Sequence, residues 1–343
     1  MKAFWVLWGW LMGSAVWAQL PEVQLRSVSL PPEVKFRPVN LDTNVAIGYG
    51  VAVADVDGDR RPDVVLCDKS QIAWYRNPGW EKFVIAEKLT EQDHVCVAAA
   101  DIDRDGKAEI AVGAGWNPGD TVNSGAVFYL IPPADRTQRW EPVRLPHEPT
   151  VHRMRWIRDS MGQFSLVVVP LHGRGNNAGT GEGDGVKILQ YRRPADPKTP
   201  WKVTELNRKE WRALHKTHNF DPVPSPGVPG DSLVVAAKEG LFRFQPGSPG
   251  LEKLGTNSIG GAGEVRRGQL PQTEFFAAVE PMHGHTLAVY RVGGHRQVLD
   301  ESLVDGHAVA CGDLLGLGRD QIVVGWRAMN LETAVEEGGF FGK

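Results

Sequence analysis

The 343-residue sequence has little cysteine, no polybasic stretch and, after its first residues, no long apolar run. Its three cysteines, Cys67, Cys96 and Cys311, are too few for a disulfide framework, and we interpret them as small apolar residues. A net charge of −3 with 23% charged residues excludes the basic field that nucleic acid or an anionic membrane surface attracts. No later segment has a useful helical period. An all-β chain with no nucleic-acid partner is therefore expected.

The first 18 residues read as an export signal. Lys2 is followed by an almost wholly apolar run from Phe4 to Met12, and Val16-Trp17-Ala18 places small residues where a signal peptidase cleaves. The alternative, a membrane anchor, is disfavoured because this run is too short to span a bilayer. We predict a signal peptide at 1–18, a single domain at 19–343, and a periplasmic or extracellular protein with no membrane association after cleavage.

Self-similar segments recur along the chain, each an apolar strand, a turn and a second apolar strand. The two clearest are GYGVAVADVDGDRRPDVVL at 48–66 and DHVCVAAADIDRDGKAEIAVG at 93–113. Their first turn aspartates, Asp55 and Asp101, are 46 residues apart, a length typical of a propeller blade. Decayed copies follow at 152–170, 218–238, 261–280 and 306–326.

A third strand and then a fourth, often opened by tryptophan, follow these strand pairs. We predict third strands at Gln71–Arg76, Ala126–Ile131, Val186–Tyr191, Gly240–Phe244 and Thr286–Arg291. Four strands per repeat predict an all-β fold, a β-propeller of four-stranded blades with six units visible, whereas a β-sandwich would not repeat at this interval. Residues 34–40 resemble an outermost strand that pairs with the last blade, whose third strand must come from the poorly suited stretch 328–343. A six-bladed ring and a seven-bladed one that lacks its last unit both stay open.

Two of the turns carry acidic residues at alternate positions. The segments DVDGDRRPD and DIDRDGKAE offer eight ligands, namely Asp55, Asp57, Asp59, Asp63, Asp101, Asp103, Asp105 and Glu109. Hard divalent cations take six to eight oxygen ligands, and carboxylates crowded together without a cation repel one another. A solvated acidic turn would explain one such loop but hardly two in register. We therefore predict two structural Ca²⁺ sites, with the corresponding turns at Asp159 and Asp313 having lost their ligands.

Histidines gather at the opposite end of the repeats from the acidic turns. His94, His152, His215 and His307 lie six or seven residues before the reference residue of their repeat, near the start of the inner strand. Neighbouring positions and the connections between second and third strands add His172, Arg174, His218 and His283. A lone histidine is usually structural, but propeller blades all contribute to one central concavity, so this rim is predicted to form a binding or active site. Its histidines would serve as acid and base or hold a second divalent metal.

The segments PLHGRG (170–175), LHKTHN (214–219) and EPMHG (280–284), with the acidic turns, resemble the propeller domain of aldos-2-ulose dehydratase and its bacterial relatives with VCBS repeats. The resemblance covers most of residues 44–327, and its histidine segments are more specific than the acidic turns, which many FG-GAP repeats share. It implies a seven-bladed ring and a carbon–oxygen lyase that removes water from a keto-sugar such as 1,5-anhydrofructose. The cupin domains of the fungal enzyme are not in this sequence, so an isomerisation assigned to them is not expected.

Elimination beside a carbonyl needs a base for the acidic C–H, an acid for the departing hydroxyl and a group that holds the enolate. We predict His152 and His215 as base or acid. The rest of the rim would bind a small sugar or glycan, or a metal that polarises its carbonyl, through His94, His172, Arg174, His218, His283 and His307. Two alternatives stay open: an FG-GAP module that binds glycan or protein without chemistry, and a polysaccharide lyase, which would need more arginine and lysine for uronic acids.

Overall fold

The computed structural model describes residues 36–206, 213–224, 227, 229–246, 250–255, 260–291, 293–327 and 341–342. The predicted signal peptide lies outside the described residues. The chain separates into Met1–Pro38 and Val39–Lys343, and all 23 strands, β1 to β23, belong to the second unit. Within the described ranges, no helix is long and apolar enough to cross a bilayer.

The first three sheets are antiparallel, with four strands each, and follow one another along the chain. Blade 1 consists of β1 (Gly48–Ala54), β2 (Asp63–Asp68), β3 (Gln71–Arg76) and β4 (Glu81–Glu87). Blade 2 consists of β5 (Cys96–Ala100), β6 (Glu109–Ala114), β7 (Ala126–Ile131) and β8 (Glu141–Leu145). Blade 3 consists of β9 (Val151–Arg158), β10 (Phe164–Pro170), β11 (Leu189–Arg192) and β12 (Lys202–Glu205).

The last three sheets repeat this arrangement, with one strand fewer in the sixth. Blade 4 consists of β13 (Asn219–Pro224), β14 (Asp231–Ala237), β15 (Gly240–Phe244) and β16 (Leu251–Lys253). Blade 5 consists of β17 (Glu264–Leu270), β18 (Thr273–Glu280), β19 (Thr286–Arg291) and β20 (Arg296–Asp300). Blade 6 consists of β21 (Gly306–Gly312), β22 (Gln321–Trp326) and β23 (Phe341–Gly342). Six such blades confirm the predicted all-β propeller.

The core consists of apolar layers between successive blades. Val65 of blade 1 packs with Val112 of blade 2, and Met154 of blade 3 packs with Val127 of blade 2, all of them buried. Three further layers join blades 3 to 6 in order. The second strands are therefore apolar on both faces, as strands between two packed layers must be. Each fully buried valine or leucine contributes roughly 1.5–3 kcal/mol of apolar transfer.

Blade 1 exposes apolar residues of its first strand to solvent. Val51 and Val53 of β1 are both 63% exposed, and they pair across the sheet with Leu66 and Val64. Ala52, between them in sequence, packs into the layer shared with blade 2. The face of blade 1 that points away from blade 2 thus leaves two β-branched residues largely in solvent.

Two predicted strands need correction. Residues 36–40 form no strand, because Pro38 lacks an N–H for a ladder, and β23 pairs with β22 as the third strand of the last blade. The third strand of blade 3 begins at Leu189 rather than Val186, whose N–H donates to the carbonyl of Leu214 at 3.0 Å. The other four predicted third strands have the predicted bounds.

Every blade presents the same two ends. At one end the first strand turns into the second. This turn carries the acidic groups in blades 1 and 2, and we call this end of the blades the acidic end. The first strands begin at the other end, where the second strand also turns into the third, and we call this the histidine end.

Candidate functional site

At the acidic end, two turns bring three carboxylates each close together. Oxygens of Asp55, Asp57 and Asp63 lie within 4.8 Å of one another, and the same holds for Asp101, Asp103 and Glu109. In the first turn, the N–H groups of Gly58 and Arg60 donate to Asp55 at 2.7 Å. The second turn has the same pattern, with the N–H groups of Arg104 and Gly106 donating to Asp101. Because Gly58 and Gly106 have φ near +90°, the chain can turn tightly enough for alternate side chains to converge.

The other two predicted ligands are not part of these groups. Asp59 and Asp105 are exposed, and each accepts the N–H of the second residue after it, Arg61 and Lys107, at 2.8 Å. In the decayed turn of blade 3, Asp159 instead accepts the N–H of Met161 and pairs with Arg192 at 3.0 Å.

Burial changes the acidity of the innermost carboxylates. It raises the pKa of Glu109 to about 7, and Arg136, 3.3 Å away, offsets only part of that rise. Burial also raises the pKa of Asp63. Both groups would be stabilised as carboxylates by a cation, since a bound cation reverses the local preference for the neutral acid.

At the histidine end, three imidazoles meet. Nitrogens of His218, His283 and His307 lie within 4.8 Å of one another, and we call these residues the histidine cluster. They come from the start of β13, the β18–β19 turn and β21. His218 Nε2 and His283 Nε2 are 2.7 Å apart, and the rings of His283 and His307 are 4.5 Å apart.

Hydrogen bonds orient the cluster. His218 Nδ1 faces the carbonyl of Gly263 at 2.9 Å and Glu264 Oε1 at 3.2 Å, so Nδ1 carries the proton and Nε2 carries the lone pair. His283 Nδ1 is 3.7 Å from Asp305 Oδ1, which leaves its Nε2 directed at the cluster. The two Nε2 atoms thus face each other at hydrogen-bond distance, and a shared cation would replace the proton between them.

Two members of the cluster, His283 and His307, are neutral near neutral pH. Burial and then the neighbouring charge of His218 lower the pKa of His283 to about 4 and of His307 to about 3. The carboxyl of Glu264 behaves in the opposite sense. Burial would raise its pKa, but His218 and Arg153 outweigh that and hold the pKa at about 2. The site thus combines neutral imidazoles at His283 and His307 with one ionised buried carboxylate.

His152 adjoins the cluster. Its ring is stacked on Trp116 at 4.9 Å and lies 4.6 Å from that of His218. Its Nδ1 donates to the carbonyl of His218 at 2.8 Å, and Nε2 accepts from Arg153 at 3.0 Å. Burial and the charge of Arg153 lower its pKa well below the usual range.

His172 and His94 are also buried at this end of the blades. The Nδ1 atom of His172 has no hydrogen-bond partner among the described residues, and burial lowers the pKa of this side chain to about 4. Both ring nitrogens of His94 are used within the fold, by the carbonyl of Asp68 and the N–H of Leu89.

His215 contacts the connection between β10 and β11, and Arg174 is part of that connection. His215 Nδ1 is 2.9 Å from Glu239, and its Nε2 is 3.1 Å from the carbonyl of Gly183. Arg174 donates to Glu148 and to the carbonyl of Val122. These contacts tie loops together, so the structure brings neither side chain into the histidine cluster through them.

Sequence reasoning missed Glu264 and Arg153 as site residues. Both are charged residues near the start of an inner strand, and that placement was the signal available to find them. Their contacts with His218 and His152 become visible only when blades 3, 4 and 5 are packed together.

Family comparisons agree with the fold. The FG-GAP-like repeat family matches residues 55–112, and the FG-GAP repeat family matches residues 97–130. These segments cover the two acidic turns and parts of blades 1 and 2. The chain is a β-propeller with FG-GAP repeats. No curated protein matches its sequence significantly.

Solved structures with the same fold are distant in sequence. The chain is 15% identical to BBS1N in its complex with ARL6DN, with a TM-score of 0.51 and 82% and 77% of the two chains covered. A structure of the mitotic checkpoint complex is 10% identical, with a TM-score of 0.51 and coverage of 89% and 82%. The extracellular domain of a putative hybrid two-component system from B. thetaiotaomicron is 11% identical, with a TM-score of 0.51, and the match covers 82% of this chain but 31% of that one. At these identities the likeness concerns the fold alone.

Proposed function

We propose that this protein is an exported carbon–oxygen lyase that eliminates water from a keto-sugar at the histidine end, with Ca²⁺ in its two acidic turns. The observation that carries the proposal is the convergence of His218, His283 and His307 beside His152 and Glu264. These residues combine two things that an elimination needs, namely basic nitrogens and a buried charge that orients them.

The histidine cluster fits a divalent transition metal. Three imidazoles are a donor set that such ions prefer, and His307 Nδ1 is a buried nitrogen without a hydrogen-bond partner among the described residues. Glu264, held against His218 Nδ1, supplies the carboxylate that commonly orients a metal-bound histidine. When bound, such a metal would polarise the sugar carbonyl and lower the barrier to loss of the neighbouring proton.

His152 is the better placed of the two predicted acid–base residues. Its ring adjoins the cluster, whereas the nitrogens of His215 contact Glu239 and Gly183. A base at His152 needs Arg153 to release Nε2, and the freed guanidinium would then be available to the substrate. His172, with its unpartnered Nδ1, is the second candidate for proton transfer.

The two acidic turns fit Ca²⁺ as a structural ion. Each offers three converging carboxylates, and its backbone carbonyls can complete an oxygen shell. The turns lie at the opposite end of the blades from the histidine cluster, so the ions would stabilise the fold without taking part in the elimination.

The experiment is a substrate panel. The purified protein, with Ca²⁺ and Zn²⁺ present, would be incubated with 1,5-anhydrofructose and 3-keto-glycosides while ultraviolet absorbance reports a conjugated enone. We expect absorbance to grow with the wild type, to vanish with His283→Ala and to persist with His295→Ala, a control at an exposed histidine outside the cluster. A flat trace from folded, metal-loaded protein would remove the lyase and leave a glycan- or protein-binding module as the function.

A further inference from the structure

A second layer of charged residues lies beneath the histidine cluster. Arg153 of β9 and Glu264 of β17 meet at 3.6 Å, and both strands are the inner strands of their blades. Residues two positions further along a strand lie on the same face, about 7 Å deeper. Arg155 and Arg266 therefore lie one step below the contact between Arg153 and Glu264, toward the acidic end, and the charge of Arg266 acts on Arg155.

These two arginines have no ion-pair partner. Within the described part of the chain, neither Arg155 nor Arg266 has a carboxylate within 4.0 Å, and each donates one hydrogen bond, to the carbonyl of the residue before it. Asp221 attracts Arg155, but its Oδ2 accepts the backbone N–H of Arg267 at 2.8 Å. A guanidinium has five N–H donors, so most donors of this pair are free to bind a ligand.

Several other arginines are paired with carboxylates. Arg267 lies 2.7 Å from Glu274, Arg296 lies 2.7 Å from Glu280, and Arg136 lies 3.3 Å from Glu109. Burial, then the like charges of Arg266 and Arg153, lower the pKa of Arg155 to about 10. A half-buried cation without a partner is costly, and an anion placed between the two guanidinium groups would remove that cost.

We propose that Arg155 and Arg266 bind an oxyanion group carried by the ligand, so that the site prefers an acidic sugar to a neutral one. The planar guanidinium fork suits a carboxylate or a phosphate. The arginines lie about 7 Å below the contact between Arg153 and Glu264. The ligand would therefore meet the histidines with its carbonyl and the arginines with its anionic group. The sugar part of this assignment rests on the proposed function, whereas the anion site does not.

The test is a binding measurement that needs no turnover. Calorimetric titration would compare the affinities of the wild-type protein for glucuronate, glucose 6-phosphate and glucose at low salt. Whichever of glucuronate and glucose 6-phosphate binds more tightly identifies the anion as a carboxylate or a phosphate. We expect the better of the two anions to bind at least about 10-fold tighter than glucose, which is the worth of one charge-assisted hydrogen bond. Raising the salt concentration should weaken only the anionic ligands.

Variants localise the effect. Arg155→Met and Arg266→Met keep the bulk of the side chain and should each lose most of the preference for the anion. Arg158→Met is the matched control, because Arg158 lies on the same strand, is 53% exposed and faces Asp231. Because Arg155→Lys keeps the charge, it should retain part of the preference for the anion over glucose. It therefore serves as a control for a folding defect.

Equal affinity for glucuronate, glucose 6-phosphate and glucose would overturn the inference. So would a preference that survives both methionine variants. If neutral keto-sugars are turned over while no anion preference exists, the proposed lyase stands and the anion site falls. If anions bind through Arg155 and Arg266 but no sugar is turned over, the anion site stands and the lyase falls.

Discussion

The two ends of the blades place their polar residues in opposite ways. At the acidic end, Asp55, Asp57 and Asp63 come from one nine-residue turn, and their geometry follows from local backbone alone. At the histidine end, His218 and His283 are 65 residues apart and belong to different blades. The first site depends on a turn, whereas the second depends on how whole blades pack.

Chemistry differs between the ends as well. The acidic turns offer hard oxygen atoms that suit Ca²⁺, and the histidine cluster offers neutral nitrogens that suit a transition metal. The ends should therefore respond separately to different ions and to different substitutions.

Removing one imidazole should abolish metal binding at the histidine end. His283→Ala deletes a ligand nitrogen, so Zn²⁺ affinity should fall by at least about 100-fold, beyond what loss of a second-shell partner costs. Metal content after dialysis would be measured by mass spectrometry, with His295→Ala as the control. Unchanged zinc content in His283→Ala would show that the cluster is not the site.

Calcium should stabilise the fold through the acidic turns alone. At a concentration 100 times its dissociation constant, a bound ion adds about 2.7 kcal/mol per site to the free energy of unfolding. Titration should count two ions in the wild type and one in Asp101→Asn, with a lower melting temperature for the variant. Loss of Zn²⁺ binding in Asp101→Asn would contradict the independence of the two ends.

The acidic end should also show a specific pH dependence without calcium. The pKa of Glu109 is 4.5 in its ordinary state and is raised to about 7 by burial. Between these values the folded chain holds a proton that the unfolded chain has released, so stability is lost as the pH rises.

Glu109→Gln cannot titrate at this position. We therefore expect its free energy of unfolding, relative to that of the wild type, to rise by roughly 3 kcal/mol between pH 4.5 and pH 7. Urea unfolding of both proteins in chelator measures the difference, in which the contributions of the histidines cancel. A difference in the free energy of unfolding that does not change with pH would mean that the pKa of Glu109 is not raised. Added calcium should make the pH-dependent difference smaller.

The decayed turn of blade 6 should give the smallest effect. Asp313 caps its own turn by accepting the N–H groups of Leu317 and Gly318 at 2.8 Å. Asp313→Asn should leave the calcium stoichiometry at two and change the stability by about 1 kcal/mol or less. A third calcium ion that disappears in this variant would contradict the prediction of two sites.

The local features of the molecule were readable from the sequence. Four third strands have their predicted bounds, and Trp80, Trp140 and Trp201 each directly precede a fourth strand as expected. The strand predicted at 34–40 is wrong over its described residues, 36–40, because Pro38 lacks an N–H for a ladder and β23 is the strand that pairs with β22 in the last blade. Three of the four ligands predicted for each acidic turn converge, since their spacing alone places them together.

The histidine end was readable only in outline. Spacing relative to the turn aspartates placed the histidines at one end of the repeats, but it could not distinguish His218, which reaches the cluster, from His215, which contacts Glu239. The spacing also could not show that Arg155 and Arg266 lie at the same level along their strands, or that neither has a carboxylate partner among the described residues. Such contacts join side chains across blades, so they depend on the angle and separation of the sheets.

The most direct test of the account is a crystal structure of the protein grown with both Ca²⁺ and Zn²⁺, with anomalous diffraction measured on both sides of the zinc edge. We predict a zinc-specific peak among His218, His283 and His307, and density without a zinc signal in the turns at Asp55 and Asp101. Zinc in the acidic turns, or a histidine cluster without metal at saturating Zn²⁺, would contradict the division of the molecule into a structural end and a reactive one.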